Sequence, residues 1–270
     1  MKLSLITPAK NIDEYLICGI KYFIKNKSPG IELIIVLDQL EPFNLLDEIK
    51  EIEKNNNCLK IFKNDQSGRV TALNYGYKKS IGEIIKCIDS DDILLLDFYN
   101  LIDDLMNYDA HCHNAIIGDV KLKKLYTYTF NPTILNKKYA YIVDNMISSP
   151  RWTWSFKRKI GDMIFPIPDN LFAEDFWFTF VIKLNTKKIF YLNEELYIYR
   201  QHDGNEWGGV VNFSKKIVSQ RSKWLLNEIK QLLVHKNYLL LNNNSMADAI
   251  IFHNAVLENK FFFSILLLDL

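Results

Sequence analysis

The strongest constraint on the fold is the alternation of two apolar patterns along the first 120 residues. Short runs rich in β-branched residues have the length and composition of buried strands, and the longer stretches between them repeat apolar residues at helical spacing. The predicted strands are residues 3–7, 31–37, 59–62, 84–88 and 115–120, and the predicted helices are residues 13–25, 43–55, 70–80 and 95–106. Such alternation predicts an α/β fold with a mainly parallel, twisted sheet flanked by helices.

The remainder of the chain is less regular. Residues 121–170 keep no sustained period, a helical pattern follows Glu174 and Asp175, and short strands are predicted at residues 188–192 and 196–200. Residues 213–234 and 247–258 again repeat apolar residues at helical spacing. We therefore expect one domain over residues 1–205 and a helical C-terminal extension over residues 206–270.

The charge balance argues against nucleic acid as a partner. The 33 Lys and Arg nearly balance the 32 Asp and Glu, so the net charge of +1 lacks the basic excess of a nucleic-acid-binding chain. The four cysteines form no CxxC pair, which favours reduced thiols and a cytoplasmic protein over a zinc site. We expect neither a signal peptide nor a spanning helix, because no apolar run reaches about 18 residues.

Polar residues follow the predicted strands at the points where a parallel sheet binds ligands. In open α/β sheets, ligands bind beyond the carboxyl ends of the strands. The residues at these ends are Pro8 to Asn11, Asp38 and Gln39, Lys63 to Asp65, and Asp89 to Asp92. The candidate site is therefore expected where these strand ends meet.

The run Asp89-Ser90-Asp91-Asp92 places three carboxylates directly after a buried strand. Carboxylates this close repel one another, and burial adds to the cost of their charges. A divalent cation such as Mg²⁺ or Mn²⁺ prefers oxygen ligands, would remove this cost and could bridge the carboxylates to a diphosphate. The alternative is a solvated turn in which Asp91 or Asp92 caps the following helix.

The motifs around this run resemble those of the inverting family 2 glycosyltransferases of the GT-A fold. Residues 72–76 read Ala-Leu-Asn-Tyr-Gly, and Gly82 precedes the strand that ends in Asp-Ser-Asp-Asp, which is similar to the family's A-R-N-x-G and D-x-D-D motifs. Residues 6–11 and 32–38 are similar to its first two strands. The resemblance covers residues 3 to about 205, with a weak match at 121–150. It implies a GT-A-like, Rossmann-like domain with a nucleotide-binding half over 1–120 and an acceptor half over 121–205.

The resemblance implies a nucleotide-sugar site at the strand ends. The residues that it places near the donor are Pro8, Lys10, Asp38, Asp65, Arg69, Asn74, Asp89, Asp91 and Arg200. An aspartate such as Asp38 can accept hydrogen bonds from a nucleobase, which gives base selectivity. For Asp65, a simple turn role is the alternative. The sequence departs from the family's D-D-G-S and A-R-N motifs at Gln39 and Leu73.

The resemblance also implies a catalytic base and a metal site. Glu174 and Asp175 match the family's second acidic motif, so Asp175 is the expected base for the acceptor hydroxyl and Glu174 its substitute. The alternative is that both acids only complement a helix dipole. The expected ligands of Mn²⁺ or Mg²⁺ are Asp91, Asp89, Asp92 and His202. Arg200 and His202 match the family's Y-R-x-H segment, although a structural turn would also explain them.

The acceptor side carries weaker signals. Trp152 and Trp154 could stack on an acceptor sugar, although core packing is the more common role of tryptophan. The lysine-rich residues 213–234 and the apolar last ten residues could contact an anionic membrane surface, with packing on the protein itself as the alternative.

The expected function is therefore metal-dependent, inverting transfer of a hexosyl or N-acetylhexosaminyl group from a nucleotide-sugar. A UDP-sugar is the expected donor by family frequency. A glycan or lipid-linked acceptor is expected, in the synthesis of a surface polysaccharide such as lipopolysaccharide or capsule, at the inner face of the plasma membrane. An inactive nucleotide-sugar-binding subunit of a glycan-assembly complex is the alternative. A sugar nucleotidyltransferase is less favoured, because residues 8–14 contain no Gly and a single Lys.

Overall fold

The computed structural model describes residues 1–40, 43–129, 149–169, 171, 174–186, 188–202, 223 and 226. The chain divides into two compact units. The first consists of Met1–Thr129, Arg151–Asp169 and Thr186–His202, and the second of Phe130–Pro150, Asn170–Asn185 and Asp203–Leu270. The domain boundary at residue 205 remains a prediction. The helices predicted at 213–234 and 247–258 lie outside the described residues, except that Lys223 and Leu226 are helical.

The described strands of the first unit form one mixed sheet. They are β1 (Leu3–Ala9), β2 (Ile31–Leu37), β3 (Leu59–Lys63), β4 (Ile84–Cys87), β5 (Ile93–Leu94), β6 (Ala110–Gly118), β7 (Lys124–Tyr128), β8 (Trp154–Lys157) and β9 (Ile189–Arg200). Their order is β3-β2-β1-β4-β8-β6-β9-β5, and β7 pairs with β6. Strands β3, β2, β1 and β4 run parallel, whereas β8 is antiparallel to both β4 and β6.

The helices of the first unit follow the strands in chain order. They are α1 (Glu14–Asn26), α2 (Phe43–Lys54), α3 (Arg69–Lys79), α4 (Leu96–Asn100), α5 (Ile102–Leu105) and α6 (Arg158–Ile164), and a 3-10 turn covers Arg151–Thr153. Helix α7 (Glu174–Asn185) belongs to the second unit. No helix in the described part of the chain is long and apolar enough to cross a membrane.

Local chemistry explains how the first half of the sheet forms. Strands β1 and β2 are buried along their whole length, which is why their sequences are nearly continuous apolar runs. The Asp13 side chain accepts a hydrogen bond from the Leu16 N–H at 2.9 Å and so begins α1. In α3, a Cβ on Gly76 would lie 2.5 Å from a methyl group of Ile6. Only glycine therefore lets α3 pack this closely on β1.

The predicted α/β fold is confirmed, with differences in its second half. The strand predicted at residues 115–120 is the end of the longer β6, whose earlier part is hidden in the sequence by His111, His113 and Asn114. The two strands predicted at 188–192 and 196–200 are one strand, β9. The helix predicted at 95–106 is two short helices that meet at Leu101. Strand β8 was not predicted, because four residues are too few to show a period.

Candidate active site

The three carboxylates lie in a tight turn between β4 and β5, at the carboxyl end of the parallel half of the sheet. The Asp92 N–H donates to the Asp89 carbonyl at 3.4 Å, which closes the turn. Helix α4 begins only at Leu96, and its cap residue Leu95 makes no side-chain capping bond. The alternative in which Asp91 or Asp92 caps this helix is therefore wrong.

The Asp89 carboxylate is paired with an arginine from a distant part of the chain. The Arg151 guanidinium, which is buried at the start of the 3-10 turn, donates to Asp89 Oδ1 in a direct ion pair. The backbone N–H of Asp89 donates to the Tyr197 hydroxyl oxygen at 3.0 Å. Both the side chain and the backbone of Asp89 are thus fixed by residues of later elements.

Asp92 is turned into the protein, with only 3% of its surface exposed. Its carboxylate accepts from the Tyr197 hydroxyl at 2.8 Å and from the Arg200 N–H at 2.7 Å. Burial raises the pKa of Asp92 well above its ordinary value, and the nearby charges of Asp91 and Asp89 act in the same direction. Asp92 therefore serves in this structure as an internal acceptor that joins the turn to β9.

Asp91 and His202 face each other at the open side of the turn. His202 Nε2 lies 2.8 Å from Asp91 Oδ2, and the two side chains are 18% and 24% exposed. The His202 ring stacks on Tyr15, with ring centroids 5.3 Å apart. The Arg200 guanidinium also lies over the Tyr15 ring, 4.5 Å from its centre. The Nε of Arg200 donates to the Asp91 carbonyl at 2.6 Å. Helix α1 and strand β9 thus position this pair together.

The predicted metal ligands meet only in part. In the described ranges of the chain, no group of three or more His, Cys, Asp or Glu side chains is arranged to hold a metal ion. Asp91 and His202 do offer adjacent oxygen and nitrogen donors, a set that fits Mn²⁺ and, through the carboxylate, Mg²⁺. Asp89 and Asp92 are engaged by donors of the protein itself. Asp91 and His202 are therefore the pair that could hold a metal as they stand here, and ligation by Asp89 and Asp92 stays a prediction.

A second polar group lies at the end of β2. Asp38 accepts from the Asn64 side-chain amide at 2.7 Å and from the Gly68 N–H at 2.9 Å. Gly68 adopts a φ of +134°, a conformation that L side chains rarely take, which explains why glycine precedes α3. Asp38 thus ties the end of β2 to the loop between β3 and α3. Asp65 is exposed in this same loop.

The remaining predicted donor residues lie around these strand ends. Pro8 is buried within β1, Lys10 is exposed just beyond it, and Arg69 is the first residue of α3. Asn74 makes a two-point contact with the backbone of Ile167, donating to its carbonyl at 3.0 Å and accepting from its N–H at 2.7 Å. In this structure Asn74 therefore orients backbone rather than a carboxylate of the turn.

The two tryptophans predicted on the acceptor side are core residues. Trp154 is completely buried within β8. Trp152 is also buried, and its ring stacks on Tyr197 with centroids 4.9 Å apart. Their burial favours core packing over sugar stacking. Glu174 and Asp175 occupy the first turn of α7 in the second unit, with Glu174 buried and Asp175 half-buried, and their catalytic role stays a prediction.

Two residues that hold the acidic turn were missed in the sequence. Arg151 pairs with Asp89, and Tyr197 contacts both ends of the turn. A charged residue between Pro150 and Trp152, in an otherwise uncharged stretch, was the available signal for Arg151. Tyr197 had none, because the pairing of β9 with β5 that brings it there is a long-range contact.

Comparison with known proteins finds a family match over more than half of the chain. The family model described as Glycosyl transferase family 2 matches residues 4–160. The glycosyltransferase GlyA of Streptococcus pneumoniae serotype 4 is 23% identical over 223 residues, which cover 76% of this chain and 31% of GlyA. The chain therefore spans about a third of the length of this curated relative.

Solved structures share the fold. A fragment of S. aureus TarS in complex with UDP-GlcNAc has a TM-score of 0.61 and 21% identity, over 85% of this chain and 66% of the fragment. The mannosyltransferase PcManGT from Pyrobaculum calidifontis, in complex with GDP-Man and Mn²⁺, has a TM-score of 0.58 and 14% identity, over 94% of this chain and 75% of that chain.

The mixed sheet with an acidic turn at the end of its parallel half defines an α/β protein of the GT-A type. The family model covers more than half of the sequence. The chain belongs to glycosyl transferase family 2.

Proposed function

We propose that the protein transfers a sugar from a nucleotide-sugar, most simply a UDP-sugar, to a glycan or lipid-linked acceptor with inversion at the anomeric carbon. The observation that carries the proposal is the convergence of Asp89, Asp91, Arg200 and His202 at the carboxyl end of β4 in a family 2 chain. This edge of a parallel sheet is where α/β proteins bind nucleotides. A hexosyl or N-acetylhexosaminyl group would be transferred.

The donor would lie across the ends of β1, β2 and β4. Asp38 would accept from the nucleobase with Pro8 and Lys10 alongside it, and Asp89 would lie nearer the ribose. Asp65 and Arg69 flank the same edge, and Asn74 would act on the site only through the backbone. When bound at Asp91 and His202, Mn²⁺ or Mg²⁺ would neutralise the diphosphate as it leaves. Arg200 adds a fixed positive charge beside this position, which favours departure of the same group.

Asp175 would supply the base. Its carboxylate would take the proton of the acceptor hydroxyl while that oxygen forms a bond to the anomeric carbon. The bond from this carbon to the diphosphate oxygen breaks on the opposite face, and its electron pair leaves with the nucleoside diphosphate. Glu174 is the substitute for this role. Attack opposite the leaving group accounts for inversion.

Two relatives support a nucleoside diphosphate sugar as the donor class. TarS was solved with UDP-GlcNAc, and PcManGT with GDP-Man and Mn²⁺. The acceptor class, a surface polysaccharide pathway and peripheral contact with the inner face of the plasma membrane are parts of the proposal that follow from the family resemblance.

A binding and turnover panel tests the proposal. The protein is incubated with Mn²⁺ and UDP-, GDP-, CDP- or dTDP-sugars, and affinity and slow donor hydrolysis are measured. We expect Asp91→Asn to weaken metal-dependent binding, whereas Asp97→Asn, at an exposed acid of α4, should leave binding unchanged. Absence of nucleotide-sugar binding, or metal-dependent binding unaltered in Asp91→Asn, would refute the proposal.

The role of Asp175 is tested separately. Asp175→Asn should abolish transfer and hydrolysis while donor affinity stays at the wild-type value. Loss of binding and turnover together would argue against a role as base.

An inactive nucleotide-sugar-binding subunit is the second candidate. The observation in its favour is that Asp89 and Asp92 are engaged inside the protein. Tight donor binding in the panel, without hydrolysis or transfer by the wild-type protein, would support this candidate instead.

A further inference from the structure

A lysine lies in the apolar core directly behind the acidic turn. Lys86 is the third residue of β4 and has no exposed surface. Because side chains alternate along a strand, Lys86 shares its face with Ile84 and Ile88, which belong to the main core cluster. An ammonium group in such a layer is costly unless its protons are bonded.

Polar groups of two other elements satisfy this ammonium. Lys86 Nζ donates to the Trp152 carbonyl at 2.6 Å and lies 2.7 Å from His113 Nε2. His113 Nδ1 lies 2.8 Å from the Asn114 carbonyl, which places the imidazole proton on Nδ1 and leaves Nε2 to accept from the lysine. Burial lowers the pKa of His113 well below its ordinary value, and the charge of Lys86 adds to this effect, in agreement with a neutral imidazole.

Two neighbours of Lys86, Trp152 and Tyr197, connect it to the carboxylates of the turn. Trp152 directly follows Arg151, whose guanidinium pairs with Asp89. The Lys86 ammonium also lies over the Tyr197 ring, 5.8 Å from its centre, and the hydroxyl of this ring donates to Asp92. One buried lysine therefore contacts the chain neighbour of Arg151 in the 3-10 turn and the ring of Tyr197 in β9.

We propose that Lys86 and His113 are positioning residues for the nucleotide-sugar site, which hold Arg151 and Tyr197 in the places where they fix Asp89 and Asp92. The proposal rests on the function proposed above. Lys86 acts through the Trp152 carbonyl and the Tyr197 ring and touches no reactant. His113 acts by keeping the ammonium directed toward Trp152.

The opposing explanation is that the pair only stabilises the core. A matched control for it exists at the other end of the sheet, where Lys60 donates to the completely buried Glu32 at 2.6 Å. Glu32 also accepts from Ser4 at the beginning of β1, far from the carboxyl ends of the strands. Lys60→Met therefore disturbs a buried charge pair without touching the acidic turn.

The experiment compares Lys86→Met, His113→Leu, His113→Gln and Lys60→Met with the wild-type full chain. Amide hydrogen exchange is followed by mass spectrometry, which requires no nucleotide. Binding of UDP with Mn²⁺ is measured by calorimetry, and the KM and kcat of donor hydrolysis are measured separately. His113→Gln serves as the rescue variant, because its side-chain oxygen can accept in the place of Nε2.

We expect Lys86→Met and His113→Leu to speed exchange roughly tenfold in the peptides that contain Asp89–Asp92 and Arg151–Thr153. UDP affinity should fall, and donor KM should rise, about tenfold with a smaller change in kcat. His113→Gln should behave as wild type. Lys60→Met should leave the KM unchanged and should speed exchange in the two peptides no more than in the rest of the chain. If Lys86→Met does not fold, His113→Leu gives the same comparison.

Three results would overturn the proposal. The first is unchanged exchange of both peptides in Lys86→Met and His113→Leu, and the second is faster exchange in these variants spread evenly over the chain. The third is an effect of Lys60→Met on the two peptides as large as that of Lys86→Met. If the wild-type protein binds no UDP, the proposed donor fails, but the exchange data still decide whether Lys86 and His113 position the turn.

Discussion

Replacing Lys86 with methionine also tests how much burial of the ammonium group lowers the free energy of unfolding. Burial lowers the pKa of Lys86 from 10.5 to about 7, against the opposing influence of Cys112 and Cys87. The unfolded chain keeps the ordinary lysine pKa, so between these two values the unfolded state binds more protons than the folded state. The contribution of Lys86 to the free energy of unfolding is therefore most unfavourable near and below neutral pH, and it recovers as the pH rises.

The magnitude follows from the displacement of this pKa. Each pH unit of displacement corresponds to about 1.36 kcal/mol, so wild type should gain roughly 2 kcal/mol of unfolding free energy relative to Lys86→Met between about pH 7 and 9. For a chain of this size the gain corresponds to a relative change in Tm of roughly 5 °C. Loss of the bonds to Trp152 and His113 also lowers the free energy of unfolding of the variant.

Urea unfolding of both proteins at several pH values between about 7 and 9, at constant ionic strength, measures this difference. Lys78→Met is the control, because Lys78 is exposed on α3 and loses little hydration on folding. Its difference from wild type should not change with pH. A pH-independent difference between wild type and Lys86→Met would refute the reasoning, since it would mean that the ammonium remains solvated in the folded state.

Three further predictions concern Tyr15, Asn74 and Lys60, whose contacts are described above. Tyr15→Ala should weaken Mn²⁺-dependent UDP binding about tenfold in calorimetry, because the ring that supports His202 is removed. Tyr15→Phe keeps the ring and should bind as wild type, so equal losses in both variants would contradict this role. Asn74→Leu should lower the free energy of unfolding by about 1–3 kcal/mol in urea titrations by removing two backbone contacts, and reduced donor affinity at unchanged stability would instead indicate direct contact with the donor. Lys60→Met should cost roughly 2–4 kcal/mol in the same assay, because it leaves the buried Glu32 carboxylate without its cation, and a neutral effect would show that the other donors to Glu32 suffice.

The parallel half of the fold could be predicted because its strands are short, apolar and separated by regular helices. Four of the five strands predicted in the first 120 residues correspond to β1, β2, β3 and β4 with nearly the same bounds. Their carboxyl ends then locate Asp38 and Asp89–Asp92 without any knowledge of side-chain positions. The second half was harder because its pairing is long-range and its strands carry buried polar residues such as His113.

The division of labour among the three carboxylates could not be predicted. In the sequence, Asp89, Asp91 and Asp92 are alike, and their different environments come from residues more than 60 positions away. Arg151 pairs with Asp89, whereas Tyr197 and the backbone N–H of Arg200 donate to Asp92. Local sequence contains no record of these contacts, because they depend on how β8 and β9 join the sheet.

The long sequence separation of these contacts has a consequence for synthesis on the ribosome. Asp92 leaves the exit tunnel 105 residues before Tyr197 and 108 residues before Arg200. At common elongation rates of about 5–20 residues per second, the nascent chain exposes an unpaired acidic turn for roughly 5–20 s. During this interval the run is a solvated, mutually repelling group of charges, and β9, the strand that pairs with β5, has not yet emerged. The order of translation therefore makes the acidic turn one of the last parts of the sheet to take its final form.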